Sequence, residues 1–131
     1  MLFEIETLPG LERFAAAEVK QTCGLTPRQH RIDHRGHLGP LLSLRTAVAV
    51  HRYERFEGRR PTVILGDQRF RTMIMYVVAQ ARFTGFRISC PGSESTALRR
   101  LRDSVAEWTG LPEGPHGDLL IRIRRDQDAW R

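Results

Sequence analysis

Between residues 86 and 125 the chain reads strand, helix, strand, and that order restricts the fold more than any other feature. Phe86, Ile88 and Cys90 alternate with Arg87 and Ser89 in FRISC, the period of a half-buried strand. Pro91-Gly92 ends it, and Ser93 reads as the N-cap of a helix, with Glu94 suited to the positive end of the dipole. Leu98, Leu101, Val105 and Trp108 recur at helical spacing until Gly110 and Pro112 stop the helix. DLLIRIRR, Asp118 to Arg125, is a second strand. Strands joined this way pair in parallel through a right-handed crossover. The helix then covers Phe86, Ile88 and Cys90 together with Leu119, Ile121 and Ile123. Alternation sends Arg87, Ser89, Leu120, Arg122 and Arg124 to the opposite face. Three arginines on one sheet face resist burial, so that face or its edge meets water or a ligand.

Upstream, Leu2 to Leu8 alternates as a strand, Pro9-Gly10 breaks it, and a helix from about Leu11 to Thr22 follows. Its apolar face holds Leu11, Phe14, Ala15, Val19 and Thr22, and Gly24 stops it. Glu18 falls inside that face, which places it at the rim or beside an arginine. Residues 26–40 hold a short strand and a turn, Leu41 to Thr46 a short helix, and Val48 to Phe56 a strand with Val48, Val50 and Phe56 on one face. This βα(ββ)αβ order predicts a ferredoxin-like split βαβ unit over residues 1–57. GRRP at 58–61 punctuates, and residues 58–131 form a second unit. Asp67 to Arg82 is its first helix, with Phe70, Met73, Ile74, Val77, Val78 and Ala81 on one side. The fold class is α+β.

Charge adds the functional constraint. The chain carries +6 over 131 residues, with 21 Lys+Arg against 15 Asp+Glu. Residues 1–57 are nearly balanced, whereas between residues 59 and 102 the only acids are Asp67 and Glu94. That segment holds Arg59, Arg60, Arg69, Arg71, Arg82, Arg87, Arg99, Arg100 and Arg102. Such a field favours a polyanion, and arginine forks match phosphate oxygens. The competing reading is a solvated face, with Arg99 and Arg100 paired to Asp103 along the helix.

Other chemistries lack support. His30, His34 and His37 lie in QHRIDHRGH, but Gly36, Gly39 and Pro40 break the helix that would bring them together, so no metal site is expected. The sequence has no GxSxG, HExxH or P-loop, and no catalytic residue is assigned. Cys23 and Cys90 read as reduced thiols. The longest apolar run, Met73 to Ala79, is too short to span a bilayer, and the N-terminus lacks signal-peptide character. A cytoplasmic protein with no membrane partner is the expectation.

TLPGLERFAAAEVK at 7–20, LLSLRTAVAVHRYERF at 41–56 and GFRISCPGSESTALRRLRDSVAEWTGL at 85–111 together resemble the N-terminal part of THUMP-domain RNA methyltransferases. The resemblance implies a ferredoxin-like domain followed by a partial THUMP-like RNA-binding domain. Its implied partner is structured RNA, foremost tRNA held at the acceptor-stem end. The implied chemistry is guanine-N2 methylation with S-adenosylmethionine, carried by a C-terminal methyltransferase domain. This chain shows neither that domain's GxG loop nor its Asn/Asp-Pro-Pro-aromatic motif, so no cofactor is expected here. The resemblance also implies a further strand at the point where the chain stops, DQDAWR, so a fragment or an unusually short protein is the expectation. The RNA-binding residues proposed at this level are Arg59, Arg60, Arg69, Arg71, Arg82, Arg87, Ser93, Arg99, Arg100, Arg102, Arg122 and Arg124. Two alternatives stay open: a protein-interaction or dimerisation module, and the THUMP module of a thiouridine synthase or deaminase.

Overall fold

The computed structural model of the chain describes residues 1–92 and 95–131. Among these residues it is α+β, with eight strands and five helices divided between two units, Met1–Tyr53 and Glu54–Arg131.

The first unit contains β1 (Leu2–Thr7), α1 (Glu12–Cys23), β2 (Arg31–Asp33), α2 (Gly39–Leu42) and β3 (Ala47–Arg52). β1 lies between β2 and β3 and is antiparallel to both, with Phe3 opposite Ile32 and Ile5 opposite Val50. Phe3, Ile5, Ala15, Val19, Ile32, Leu41, Leu44 and Tyr53 are its buried apolar residues. Gly24 closes α1 at φ 68°, a conformation that glycine adopts without a Cβ penalty. Glu18 occupies the rim. Its carboxylate accepts from Arg45 N at 2.8 Å, Thr46 N at 2.9 Å and Thr46 Oγ1 at 2.5 Å, so it pairs with backbone and hydroxyl rather than with a guanidinium. The Thr46 hydroxyl, followed by the Arg45 and Thr46 amides, holds its pKa below the ordinary carboxylate value.

Several expectations are corrected here. Phe14 is 52% exposed, with the Arg13 guanidinium 5.4 Å from its ring. The expected central strand pair keeps one strand, and its partner is reduced to a bridge between Arg28 and Arg31 across Gln29 and His30, both at positive φ. α2 starts earlier than Leu41 because Pro40 sits in its first turn, where the missing N–H costs nothing. β3 stops at Arg52, since β1 begins at Leu2 and offers no backbone beyond the Tyr53 N–Leu2 O bond. Val48, skipped where the register with β1 shifts between Glu6 and Thr7, is 60% exposed, and Phe56 belongs to the second unit.

That unit comprises β4 (Phe56–Glu57), α3 (Thr62–Gly66), α4 (Gln68–Val78), β5 (Phe86–Ser89), α5 (Thr96–Thr109), β6 (Leu119–Arg122), β7 (Arg125–Asp126) and β8 (Ala129–Trp130). β5 and β6 pair in parallel with Phe86 opposite Leu119 and Ile88 opposite Ile121. One apolar cluster joins Phe56, Ile64, Phe70, Ile74, Phe86, Leu101, Val105, Leu119, Ile121, Ile123 and Trp130. Trp108 packs edge-on against Phe70 at 5.8 Å. The segment 112–117 laces the outer edge of β5, through Phe86 N to Pro112 O at 2.9 Å and Gly114 N to Phe86 O at 3.0 Å. It passes so close that a Cβ on Gly117 would lie 2.3 Å from the Phe86 carbonyl carbon.

Here too the boundaries shift. Asp67 is the N-cap of α4 and accepts from Arg69 N, so the helix starts at Gln68; it ends at Val78, short of Arg82. α5 starts at Thr96 with Ser95 as its cap, accepting from Leu98 N. The proposed Ser93 cap lies outside the described residues. The closing strand ends at Arg122, and DQDAWR contributes a hairpin whose β8 pairs antiparallel with β4, Phe56 opposite Trp130. No helix among the described residues is long and apolar enough to cross a membrane.

Candidate nucleic-acid interface

The parallel pairing of β5 with β6 decides which arginines share a surface. Register sets Arg87 beside Leu120 and Ser89 beside Arg122. Phe86 and Leu119 on the other face are buried under α5. Arg87 and Arg122 are exposed and Arg124 half-buried, which is the open face that alternation predicts.

Arg124 is the anchor of this face. Its Nη1 donates to Ser89 O at 3.0 Å and to Ile123 O at 2.8 Å, and its Nη2 donates to Ser89 Oγ at 3.1 Å. All three acceptors are neutral, so the fork is held in place without an ion pair among the described residues. A guanidinium already ordered loses little entropy when it takes an oxyanion. Arg87 adds a second charge on the same face and has no hydrogen bond or ion pair among the described residues.

The remaining candidates divide. Arg69 is tied down by Asp67, at 2.7 Å for the Nη2–Oδ2 contact and 3.1 Å from Nε to each oxygen, and it also stacks 5.1 Å over Phe56. That guanidinium holds the Asp67 carboxyl below its ordinary pKa, and its own pKa is raised in return. Arg102 Nε lies 2.8 Å from Glu113 Oε1, and Arg71 lies 5.7 Å over the Trp108 ring. Arg59, Arg60 and Arg82 are exposed outside the regular elements of the unit. Arg99 and Arg100 are exposed on α5, and neither pairs with Asp103 among the described residues. Their helix face is turned away from Leu101 and Val105, hence away from the sheet. The helix arginines and the sheet arginines therefore occupy opposite sides of the α5–sheet layer instead of merging into one patch. Ser93 lies outside the described residues.

Asp118 was not singled out by sequence reasoning, yet it aligns the starts of both strands. Its Oδ1 accepts from Thr84 N at 3.0 Å and from Gly85 N at 3.1 Å, and its Oδ2 lies 3.1 Å from Thr84 N. The Gly85 amide is the largest influence holding its pKa below the ordinary aspartate value. A carboxyl with a depressed folded pKa contributes stability above its unfolded pKa and loses it as pH falls through the folded one. Asp118→Asn is expected to lower the thermal midpoint by a few degrees at neutral pH. Circular-dichroism melts should show the difference shrinking as pH falls below the unfolded value of about 3.9 and through the lower folded one. A constant difference down to strong acid would mean that packing, not charge, is responsible.

The histidines serve local turns: His34 Nε2 lies 3.0 Å from His37 O, and His37 Nδ1 accepts from Gly39 N at 2.9 Å. Both cysteines are free thiols. No family model matches this sequence, and no curated protein and no solved structure matches it either.

Proposed function

We propose that the chain is an RNA-binding module that holds phosphates against the open face of β5 and β6, with Arg124 as the fixed fork and Arg87 and Arg122 beside it. One observation carries the reading: a guanidinium ordered by three neutral acceptors, with Arg87 on the same sheet face and unpaired among the described residues. The strand–helix–strand core of the second unit supports a THUMP-like assignment. In the first unit, β1 lies between two antiparallel neighbours after a helical connection, which supports a reduced ferredoxin-like unit. By the same resemblance, the bound RNA is tRNA gripped at its acceptor-stem end. The module positions it for a C-terminal methyltransferase domain acting on guanine N2. S-adenosylmethionine belongs to that domain, and no glycine-rich strand–helix loop for it occurs among these 131 residues.

A gel-shift titration with unmodified tRNA tests the reading. Binding is expected at about 50 mM salt and is expected to weaken steeply by about 200 mM, as released counterions lose their entropic advantage. Absence of any shift at the lower salt overturns it. Sedimentation that shows a tight dimer burying Arg87, Arg122 and Arg124 would assign the face to a protein interface instead.

A further inference from the structure

A guanidinium carries five N–H donors in one plane, and Ser89 decides how Arg124 uses them. Ser89 accepts from both terminal nitrogens, through its carbonyl from Nη1 at 3.0 Å and through its hydroxyl oxygen from Nη2 at 3.1 Å. Nη1 donates its other proton to Ile123 O at 2.8 Å. Three donors are thereby committed within the protein. The two that remain are the Nε–H and the second N–H of Nη2, and neither has a partner among the described residues. With Ser89 on the Nη1–Nη2 edge, these two donors point side by side from the remaining edge of the plane. That edge matches two oxygens of one phosphate.

Strand register explains why Ser89 is able to do this. It is the last residue of β5 and lies opposite Arg122, with its side chain on the same face as Arg87. Its carbonyl already accepts from Ile123 N at 2.8 Å, so the oxygen offered to Nη1 is fixed by the parallel pairing. The hydroxyl is the part of this grip that a side-chain change removes. Without it Nη2 loses its tether, and the plane is free to turn about the Nη1 contacts, which carries the unused edge away from its present direction.

We propose that Ser89 is a positioning residue for the phosphate face: its hydroxyl aims the Nε–Nη2 edge of Arg124 so that Arg124 takes two oxygens of a single phosphodiester at once. The inference rests on the RNA-binding reading and adds to it a division of roles. Arg124 fixes one phosphate in place, whereas Arg87, without a partner among the described residues, contributes charge alone. A bidentate fork is directional as well as strong, so it sets where the RNA backbone lies on the sheet. A loose cation does not.

The test is a double-mutant cycle read by tRNA titration at about 50 mM salt. Ser89→Ala removes no charge. It is expected to weaken binding about fivefold, the scale of reordering one long side chain, and to leave the log–log salt slope within about half a unit of the native value. Ser89→Thr keeps the hydroxyl and is expected to bind within about twofold of the native chain. In an Arg124→Lys background there is no fork to aim, and Ser89→Ala is expected to change affinity by less than about 1.5-fold. Thermal melts establish that each chain is folded under the binding conditions. Should Ser89→Ala not fold, Ser89→Val, which favours a strand and matches threonine in shape, is compared with Ser89→Thr in its place. Native affinity in the chain lacking the hydroxyl overturns the positioning role and leaves the phosphate face intact. An equal loss in the Arg124→Lys background overturns it too, because Ser89 would then act independently of the fork. If the native chain does not bind tRNA at low salt, the RNA-binding reading fails and the assignment of Ser89 falls with it.

Discussion

Replacement of Arg87, Arg122 and Arg124 together by alanine is expected to reduce tRNA affinity by about a hundredfold at low salt and to make the salt dependence shallower by about three units of log–log slope. Each arginine that neutralises a phosphate contributes about one unit of slope, so the slope counts contacts independently of total affinity. Arg124 also bridges Ser89 and Ile123. Arg124→Lys separates its two roles, since a lysine keeps the charge and loses the fork. The comparison is Arg99→Ala with Arg100→Ala. These residues lie on the helix face turned away from the sheet, and their loss is expected to change affinity by no more than about twofold. An equal loss in both sets would place the RNA across the helix. No loss in the triple variant would remove the sheet face from consideration.

Phe86→Ala is expected to cost about 3–5 kcal/mol and to leave the second unit without a cooperative unfolding transition at physiological temperature. Phe86 is 0% exposed and sits in the cluster shared by α3, α4, α5 and the last strands. Its backbone also bonds Pro112 and Gly114, so the cavity left by its ring borders a segment with little freedom to collapse inward. Denaturant titration followed by tryptophan fluorescence reads the outcome directly, because Trp108 and Trp130 both belong to this unit. Phe86→Leu, which removes less volume, is expected to retain the transition at a lower midpoint. A Phe86→Ala chain that unfolds like the native one would mean that the cluster is not the unit's stabilising core.

The elements most legible from sequence are those whose signals are local. α5 follows from the spacing of Leu98, Leu101 and Val105 and from Gly110, which closes it at φ 69°. β5 follows from the alternation in FRIS. The placement of Arg87, Ser89, Arg122 and Arg124 on one face was also legible, because a crossover and a two-residue period determine it once the strands pair. Less visible were α3, only five residues long, and the β4–β8–β7 sheet, whose strands are two residues each. Elements that short carry almost no periodicity and persist through pairing with segments remote in sequence, as Phe56 pairs with Trp130.

The candidate site was legible to the same extent. A count of arginines located the positive segment, but each charge acquires its meaning from a partner that the count does not show. Asp67 neutralises Arg69 through a cap, Glu113 reaches Arg102 from beyond the helix, and Trp108 takes Arg71. Sequence by itself determined the class of fold, the crossover and the side of the sheet that must remain polar, since these depend on periods of two and 3.6 residues and on glycine conformations. Tertiary structure alone decided that the helix and sheet arginines face apart and that Arg124 is fixed by neutral acceptors. Those outcomes depend on register and on contacts between residues far apart in the chain, and short-range preferences do not encode them.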